Sequence, residues 1–180
     1  MQLENKKPVS YILLGYMGSG KSTVGQVLAS LTSLPFIDLD DYIEAQESMS
    51  ISQIIAQKGI IYFRKQELLY LKSVLKRRES IVLSLGGGTP CYYNNMELIN
   101  EKPESRSIYL RANVPFLTQR LFEERQTRPL IAGIDNRDEL AEFIGKHLLE
   151  RSAFYNQAHN VVEIENKTPQ AIALEILDLA

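Results

Sequence analysis

Eight residues constrain this chain more than any other stretch: Gly15-Tyr16-Met17-Gly18-Ser19-Gly20-Lys21-Ser22. They follow the pattern G-x-x-x-x-G-K-[ST] without a mismatch. An apolar run at residues 9–14 precedes them. Val24, Val27, Leu28 and Leu31 follow at helical spacing. Strand, turn and helix in that order are the setting this loop needs. Its glycines let the backbone curl so that successive N–H groups point inward at phosphate oxygens. The helix that starts there adds the positive end of its dipole. Gly18, Ser19, Gly20, Lys21, Ser22 and Thr23 are therefore the candidate ligands of a nucleotide's phosphates. Lys21 is placed to reach the β- and γ-phosphates, and Ser22 to offer its hydroxyl to Mg²⁺.

Around that loop, strand-length apolar runs alternate with helical patterns. This predicts an α/β fold: five strands in one parallel sheet with helices on both faces. Strands are expected near residues 9–14, 35–40, 81–85, 107–111 and 161–165. Helices are expected from Lys21, over 40–79 with a break at Gly59, near 94–100, over 114–124, over 138–156 and over 170–179. Ser50 or Ser52 suits the start of one helix, and Thr168-Pro169 the start of the last. Residues 125–135 read as an irregular loop broken by Pro129 and Gly133. The 180 residues suit one domain. A net charge of −2 gives no general attraction to nucleic acid or to an acidic membrane. No stretch approaches the roughly 20 apolar residues of a membrane span. The N-terminal apolar run is too short for a leader peptide. The single cysteine, Cys91, excludes an intrachain disulfide. A cytoplasmic monomer is expected.

The run at 35–40 brings Asp38 and Asp40 to the carboxyl edge of the sheet, where ligands of such folds bind. The strand is expected to run through Asp40, so alternation puts both carboxylates on one side. One then suits Mg²⁺ and the other an attacking hydroxyl's proton. The competing reading is that Asp40 and Asp41, which precede a helical stretch, cap the next helix.

With the loop, several further motifs resemble the shikimate kinase family. They are Phe36-Ile37-Asp38-Leu39-Asp40 with Ile43-Glu44, Phe63-Arg64 with Glu67, and Leu83-Ser84-Leu85-Gly86-Gly87-Gly88. Tyr109-Leu110, Arg128-Pro129-Leu130, and Arg151 with Tyr155 complete the set. Their order matches from about residue 9 to the end. The resemblance implies a P-loop fold like that of nucleoside monophosphate kinases. It implies transfer of the γ-phosphoryl of ATP to the 3-hydroxyl of shikimate. It also implies Mg²⁺ held by Ser22 and Asp38, and Lys21, Asp40 and Arg128 as catalytic residues. Shikimate would be held by Asp40, Arg64, Gly86, Gly87, Gly88 and Arg151, with Glu67 orienting Arg64. Arginines suit its carboxylate because the guanidinium fork binds it bidentately. ATP would also meet Arg120, Arg128, Lys167 and Pro169. A helical segment over about 40–70 would bind substrate, and residues 119–133 would form a lid. Two departures stand out: Ile60 replaces a frequent glutamate, and Lys167 a frequent late arginine.

Other features read as structural. His147 and His159 read as packing or surface residues. Cys91 lacks neighbours for a zinc site. Lys76-Arg77-Arg78 reads as a solvated helix end. The competing functions are gluconate kinase on the same fold, a GTP-dependent switch, and a non-catalytic binding module. Asn166-Lys167-Thr168-Pro169 lacks the aspartate of a guanine-binding motif, and intact Lys21, Ser22, Asp40 and Arg128 disfavour a non-catalytic module.

Overall fold

The computed structural model describes residues 9–179. Of the stretch weighed as a leader peptide, residues 1–8 lie outside the described residues and the apolar run at 9–14 lies within them. Strand β1 (Ser10–Leu14) is buried along its whole length and runs into the phosphate loop. Helix α1 (Lys21–Thr32) leads to β2 (Phe36–Asp38), then to α2 (Leu39–Glu47), α3 (Ile51–Lys58) and α4 (Ile60–Leu75). Strand β3 (Val82–Ser84) is followed by a 3-10 turn at Thr89–Cys91, helix α5 (Asn95–Asn100) and β4 (Ser105–Arg111). Helix α6 (Val114–Glu124), a 3-10 turn at Arg125–Thr127, α7 (Arg137–Tyr155), β5 (Asn160–Glu163) and α8 (Pro169–Asp178) follow.

The strands form one sheet in the order β2-β3-β1-β4-β5. Every pairing is parallel. The expected five-stranded parallel sheet with flanking helices is present. Ile12, Leu13, Leu14, Val82, Leu83 and Leu110 have no exposure. That explains why these strands read as unbroken apolar runs: a parallel sheet is covered on both faces. Helix α1 packs on β3 and β2 and against α8, while α6 packs against α7. The connection from β1 leads toward β2, and that from β4 leads toward β5. A crevice opens where they diverge, at the carboxyl end of the sheet.

Local chemistry sets the element ends. Ser50 and Gln53 form a reciprocal capping box at the start of α3. Gly59, at φ 87°, separates α3 from α4. Thr168 caps α8 and Pro169 opens it. Lys102 donates to the carbonyls of Leu75 and Arg77, satisfying the end of α4. Among the described residues no helix is long and apolar enough to cross a membrane.

Two expectations need correction. The second strand stops at Asp38, not Asp40, because the Asp38 side chain accepts the Asp40 N–H and starts α2 there. Asp40 is helical, so strand alternation does not relate it to Asp38. Strand β3 lies between β2 and β1. Asp38 reaches the phosphate loop because α1 crosses back over β3 and β2. Finally, the stripe on α1 is narrower than its spacing suggests: Val24 and Leu28 are buried, but Leu31 is 42% exposed.

The difference between Leu28 and Leu31 is measurable. Leu28→Ala removes a side chain with no exposure and should cost about 2–5 kcal/mol. Leu31→Ala should change stability by no more than about 0.5 kcal/mol. Urea unfolding midpoints of the two variants check this. Equal losses would contradict the burial of α1.

Candidate active site

Strand β1 delivers the phosphate loop, and burial of Lys21 defines its chemistry. The Lys21 ammonium donates to the carbonyls of Gly15 and Tyr16, each at 3.0 Å. Burial lowers its pKa to about 8, although Asp40 and Asp38 act in the opposite direction. Gly18, Gly20, Lys21, Ser22 and Thr23 line a cavity of about 310 Å³ with Asp38, Asp40, Arg120 and Arg128. Ser19 does not line it: its side chain is buried, and its N–H donates to the Tyr16 carbonyl at 3.2 Å.

Ser22 donates its hydroxyl to Asp38 at 2.6 Å. The other Asp38 oxygen accepts the Asp40 N–H. Two hard oxygen donors thus meet at the edge of the phosphate cavity. This set fits Mg²⁺, which takes few protein ligands and completes its octahedron with phosphate oxygens and water. No group of three or more His, Cys, Asp or Glu side chains suited to a metal occurs among the described residues.

A second cavity, of about 720 Å³, opens beside the first. Helices α3 and α4 supply an apolar wall that includes Ile51, Ile55, Ile60 and Phe63. Arg64, Glu67, Gly86, Gly87, Gly88, Tyr92, His147 and Arg151 add the polar side, and Pro129 and Leu130 approach from the segment after α6. Asp40, Gly86 and Gly87 line both cavities.

Each outer glycine of the triple has a steric reason. A Cβ on Gly86 would meet Asp40 Oδ1 at 2.6 Å, and one on Gly88 would meet an Arg64 nitrogen at 2.8 Å. Side chains there would push the carboxylate and the guanidinium out of the site. The middle glycine is held by its carbonyl, which accepts the Tyr155 hydroxyl at 2.5 Å. Burial pushes Asp40 up to about 7, and the like charges of Asp38 and Glu67 add to this. Lys21 and Arg64 offset part of that rise.

Arg64 donates to Glu67 at 2.7 Å, one turn along α4. Glu67 is buried and also accepts the Thr89 hydroxyl at 2.7 Å, while Asn95 donates to the Thr89 carbonyl at 2.8 Å. The guanidinium stacks on Tyr92, 4.0 Å from the ring centroid. Its Nε is buried without a hydrogen-bond partner, an orphan donor that an anionic ligand would satisfy. Arg151 lies 5.5 Å from the Tyr16 ring centroid.

Arg128 donates through Nε and a terminal nitrogen to Glu124, at 3.0 and 2.5 Å. Arg120 is 3.9 Å from the same carboxylate. Both arginines line the phosphate cavity. Lys167 and Pro169 line neither cavity, and Lys167 is paired with Glu175. His159 is a packing residue, accepting the Ser107 N–H at 3.1 Å. Cys91 is half-buried and its thiol is pushed up to about 11 by burial.

Sequence reasoning missed Thr89, Tyr92, Asn95, Glu124 and the position of His147. The spacing of Glu124 four residues before Arg128 could have found that pair. No spacing links Tyr92 or Asn95 to Arg64, because a turn of the chain brings them there.

Comparison with known proteins follows the same lines. The shikimate kinase of Flavobacterium johnsoniae is 45% identical over 168 residues, covering 93% of this chain and 96% of its own. The crystal structure of shikimate kinase from Bacteroides thetaiotaomicron superposes with a TM-score of 0.87 at 34% identity, over 95% of this chain and 97% of that one. Shikimate kinase from Acinetobacter baumannii, solved in complex with shikimate, gives a TM-score of 0.84 at 29% identity, over 96% of this chain and 93% of that one. The family model for shikimate kinase matches residues 17–180, a span that holds Asp40, the triple glycine, Arg64 and Arg151, and the chain belongs to the shikimate kinase family.

Proposed function

We propose that the shikimate kinase activity of this chain is carried out where its two cavities meet. ATP enters the cavity of the phosphate loop, and shikimate the larger one. The observation that carries this reading is that Asp40, Gly86 and Gly87 line both. A phosphoryl group leaving one cavity can therefore meet a hydroxyl held in the other.

The phosphate-loop N–H groups and Lys21 hold the β- and γ-phosphates. Lys21 must leave the carbonyls of Gly15 and Tyr16 to do so, and both are only 3.0 Å away. Ser22 and Asp38 are the residues that would hold Mg²⁺. Bound there, the ion would supply neutralisation of the phosphates' negative charge. Arg64 and Arg151 take the shikimate carboxylate. Glu67, tied to Thr89, keeps the Arg64 guanidinium in place while Tyr92 covers its face. Asp40 orients the 3-hydroxyl and accepts its proton late, as a loose transition state requires. Arg128 turns from Glu124 to the transferred phosphoryl group.

The helical segment over about 40–70 forms the acceptor wall. Residues 119–133 act as the lid, bringing Arg128 to one cavity and Leu130 to the other. Arg120 lies 3.6 Å from where a Cβ on Gly20 would stand, a position suited to nucleotide contact. Lys167 and Pro169 remain the proposed adenine-side residues. A monomer is the proposed working unit. The 23% of charged residues and the absence of a membrane-spanning helix among the described residues agree with cytoplasmic work.

A coupled assay for ADP release with shikimate, gluconate, nucleoside monophosphates and water as acceptors tests the reading. Shikimate should support turnover, and the others should give at most a few per cent of it. Comparable turnover with gluconate would overturn the acceptor assignment.

The pH profile tests the two buried charges. Asp40 is raised to about 7 in the ligand-free site, so below that pH it is protonated and cannot accept a proton. Lys21 is lowered to about 8, so above that pH its charge is lost. With both substrates limiting, the rate constant reports the free enzyme. It should fall about tenfold per pH unit below the acid limb, and fall again on the alkaline side. A flat profile from pH 5 to 9 would contradict these roles.

A further inference from the structure

Tyr16 lies within the phosphate loop but is not free to meet phosphate. Its side chain is 1% exposed, and its hydroxyl lies 3.1 Å from His147 Nδ1. The two rings stand edge to face at 6.2 Å, and Phe143 packs on the other side of His147 at 4.2 Å. This contact ties the loop after β1 to the middle of α7. His147 is one helical turn before Arg151, so both side chains leave α7 on the same side. Both line the larger cavity.

The Tyr16 hydroxyl and Nδ1 share one hydrogen bond, whose direction depends on the tautomer of His147. Burial raises the Tyr16 phenol to about 12, so the phenol stays protonated and can donate to Nδ1. Nδ1 is then the acceptor, and the ring proton of a neutral imidazole resides on Nε2. Burial lowers the His147 pKa, and the positive charge of Arg151 adds to that. The neutral form therefore holds at pH 7.5. Nε2–H is left as a donor on a ring that lines the acceptor cavity.

We propose that His147 is a substrate-positioning residue whose Nε2–H, fixed by the Tyr16 hydroxyl, donates to the shikimate carboxylate beside Arg151. This inference rests on the assignment of the larger cavity to shikimate. It makes the carboxylate site three-sided, with Arg64 on α4 and Arg151 and His147 on α7. A neutral donor adds direction without a further charge to desolvate. It also explains why a tyrosine suits position 16, where the phosphate-loop pattern itself accepts any residue.

Two substitutions separate the ring's two nitrogens. In His147→Asn the amide overlays Nδ1, so the Tyr16 contact survives and the cavity donor is lost. In His147→Gln the amide nitrogen reaches the place of Nε2. The shikimate KM should rise about tenfold in His147→Asn and stay within about threefold of wild type in His147→Gln. The KM for MgATP should move less than about twofold in either. Equal effects of the two variants, or an equal rise in the MgATP KM, would reduce His147 to a packing residue and overturn the inference.

Arg151→Ala is the control. If it leaves the shikimate KM unchanged, the cavity assignment fails; if it raises KM while His147→Asn does not, only the present inference fails. A second readout needs no variant in the site. The chain has two histidines, so ¹⁵N spectra of the imidazoles are simple to assign. Wild-type His147 should show the Nε2–H tautomer at pH 7.5, and its Nε2 resonance should shift on saturation with shikimate. An Nδ1–H tautomer, or a ring unmoved by shikimate, would overturn the proposal.

Discussion

The carboxylate of Asp40 occupies space that a side chain on Gly86 would fill, with Oδ1 2.6 Å from the missing Cβ. Much of the site depends on that close approach. It draws the first turn of α2 against the turn after β3, and so joins the acceptor helices to the phosphate loop. Leu85 donates to the Leu13 carbonyl, which holds the same turn to β1. The result is a buried charge beside two other acids, Asp38 and Glu67, and the environment resists its ionisation. A group held in this way is poised to take a proton near neutral pH. Lys21 is the counterpart, a buried cation that gives up its charge more easily than an exposed lysine. Phosphates in the loop would stabilise the Lys21 charge, while a metal beside Asp38 would favour ionisation of Asp40.

The larger cavity is built on different logic. Arg64 and Arg151 are separate in sequence and arrive on α4 and α7. A free guanidinium would search many rotamers, at an entropic cost of up to about 2 kcal/mol. Glu67 removes that freedom from Arg64, and Thr89 and Asn95 anchor Glu67 in turn. Tyr155 holds the Gly87 carbonyl while Arg151 emerges one turn before it on the same helix. The polar side of the cavity thus rests on buried hydrogen bonds, and its opposite wall is apolar. Ile60 belongs to that wall.

Much of this architecture is legible in the amino-acid sequence. The phosphate loop is local: eight consecutive residues hold its chemistry, and the flanking periodicities announce the strand and helix. The parallel sheet is legible because strands buried on both faces leave continuous apolar runs. Arg64, Glu67 and Arg151 emerge through family resemblance, and the Arg64–Glu67 pair also through helical spacing. The miss at Asp38 and Asp40 has a physical cause. The same aspartate that ends a strand can cap the next helix, and alternation cannot tell which happens first. The order of β3 between β1 and β2 is a long-range property and leaves no local mark. Tyr92 on Arg64 and Tyr16 on His147 are also long-range contacts, formed only after the sheet brings α4, α7 and the loops together. His147 reads as ordinary in the sequence because a lone histidine on a helix usually is.

The most direct test of the account is single-turnover phosphoryl transfer by Asp40→Asn, with ATP and shikimate both saturating and Mg²⁺ titrated. If Asp40 serves the acceptor hydroxyl where the cavities join, both substrates should still bind while transfer falls by about 10²–10⁴. Added Mg²⁺ should not restore it, whereas Asp38→Asn should recover part of its loss. Near-normal transfer in Asp40→Asn, or its rescue by metal, would contradict the account and move the acceptor chemistry to another residue.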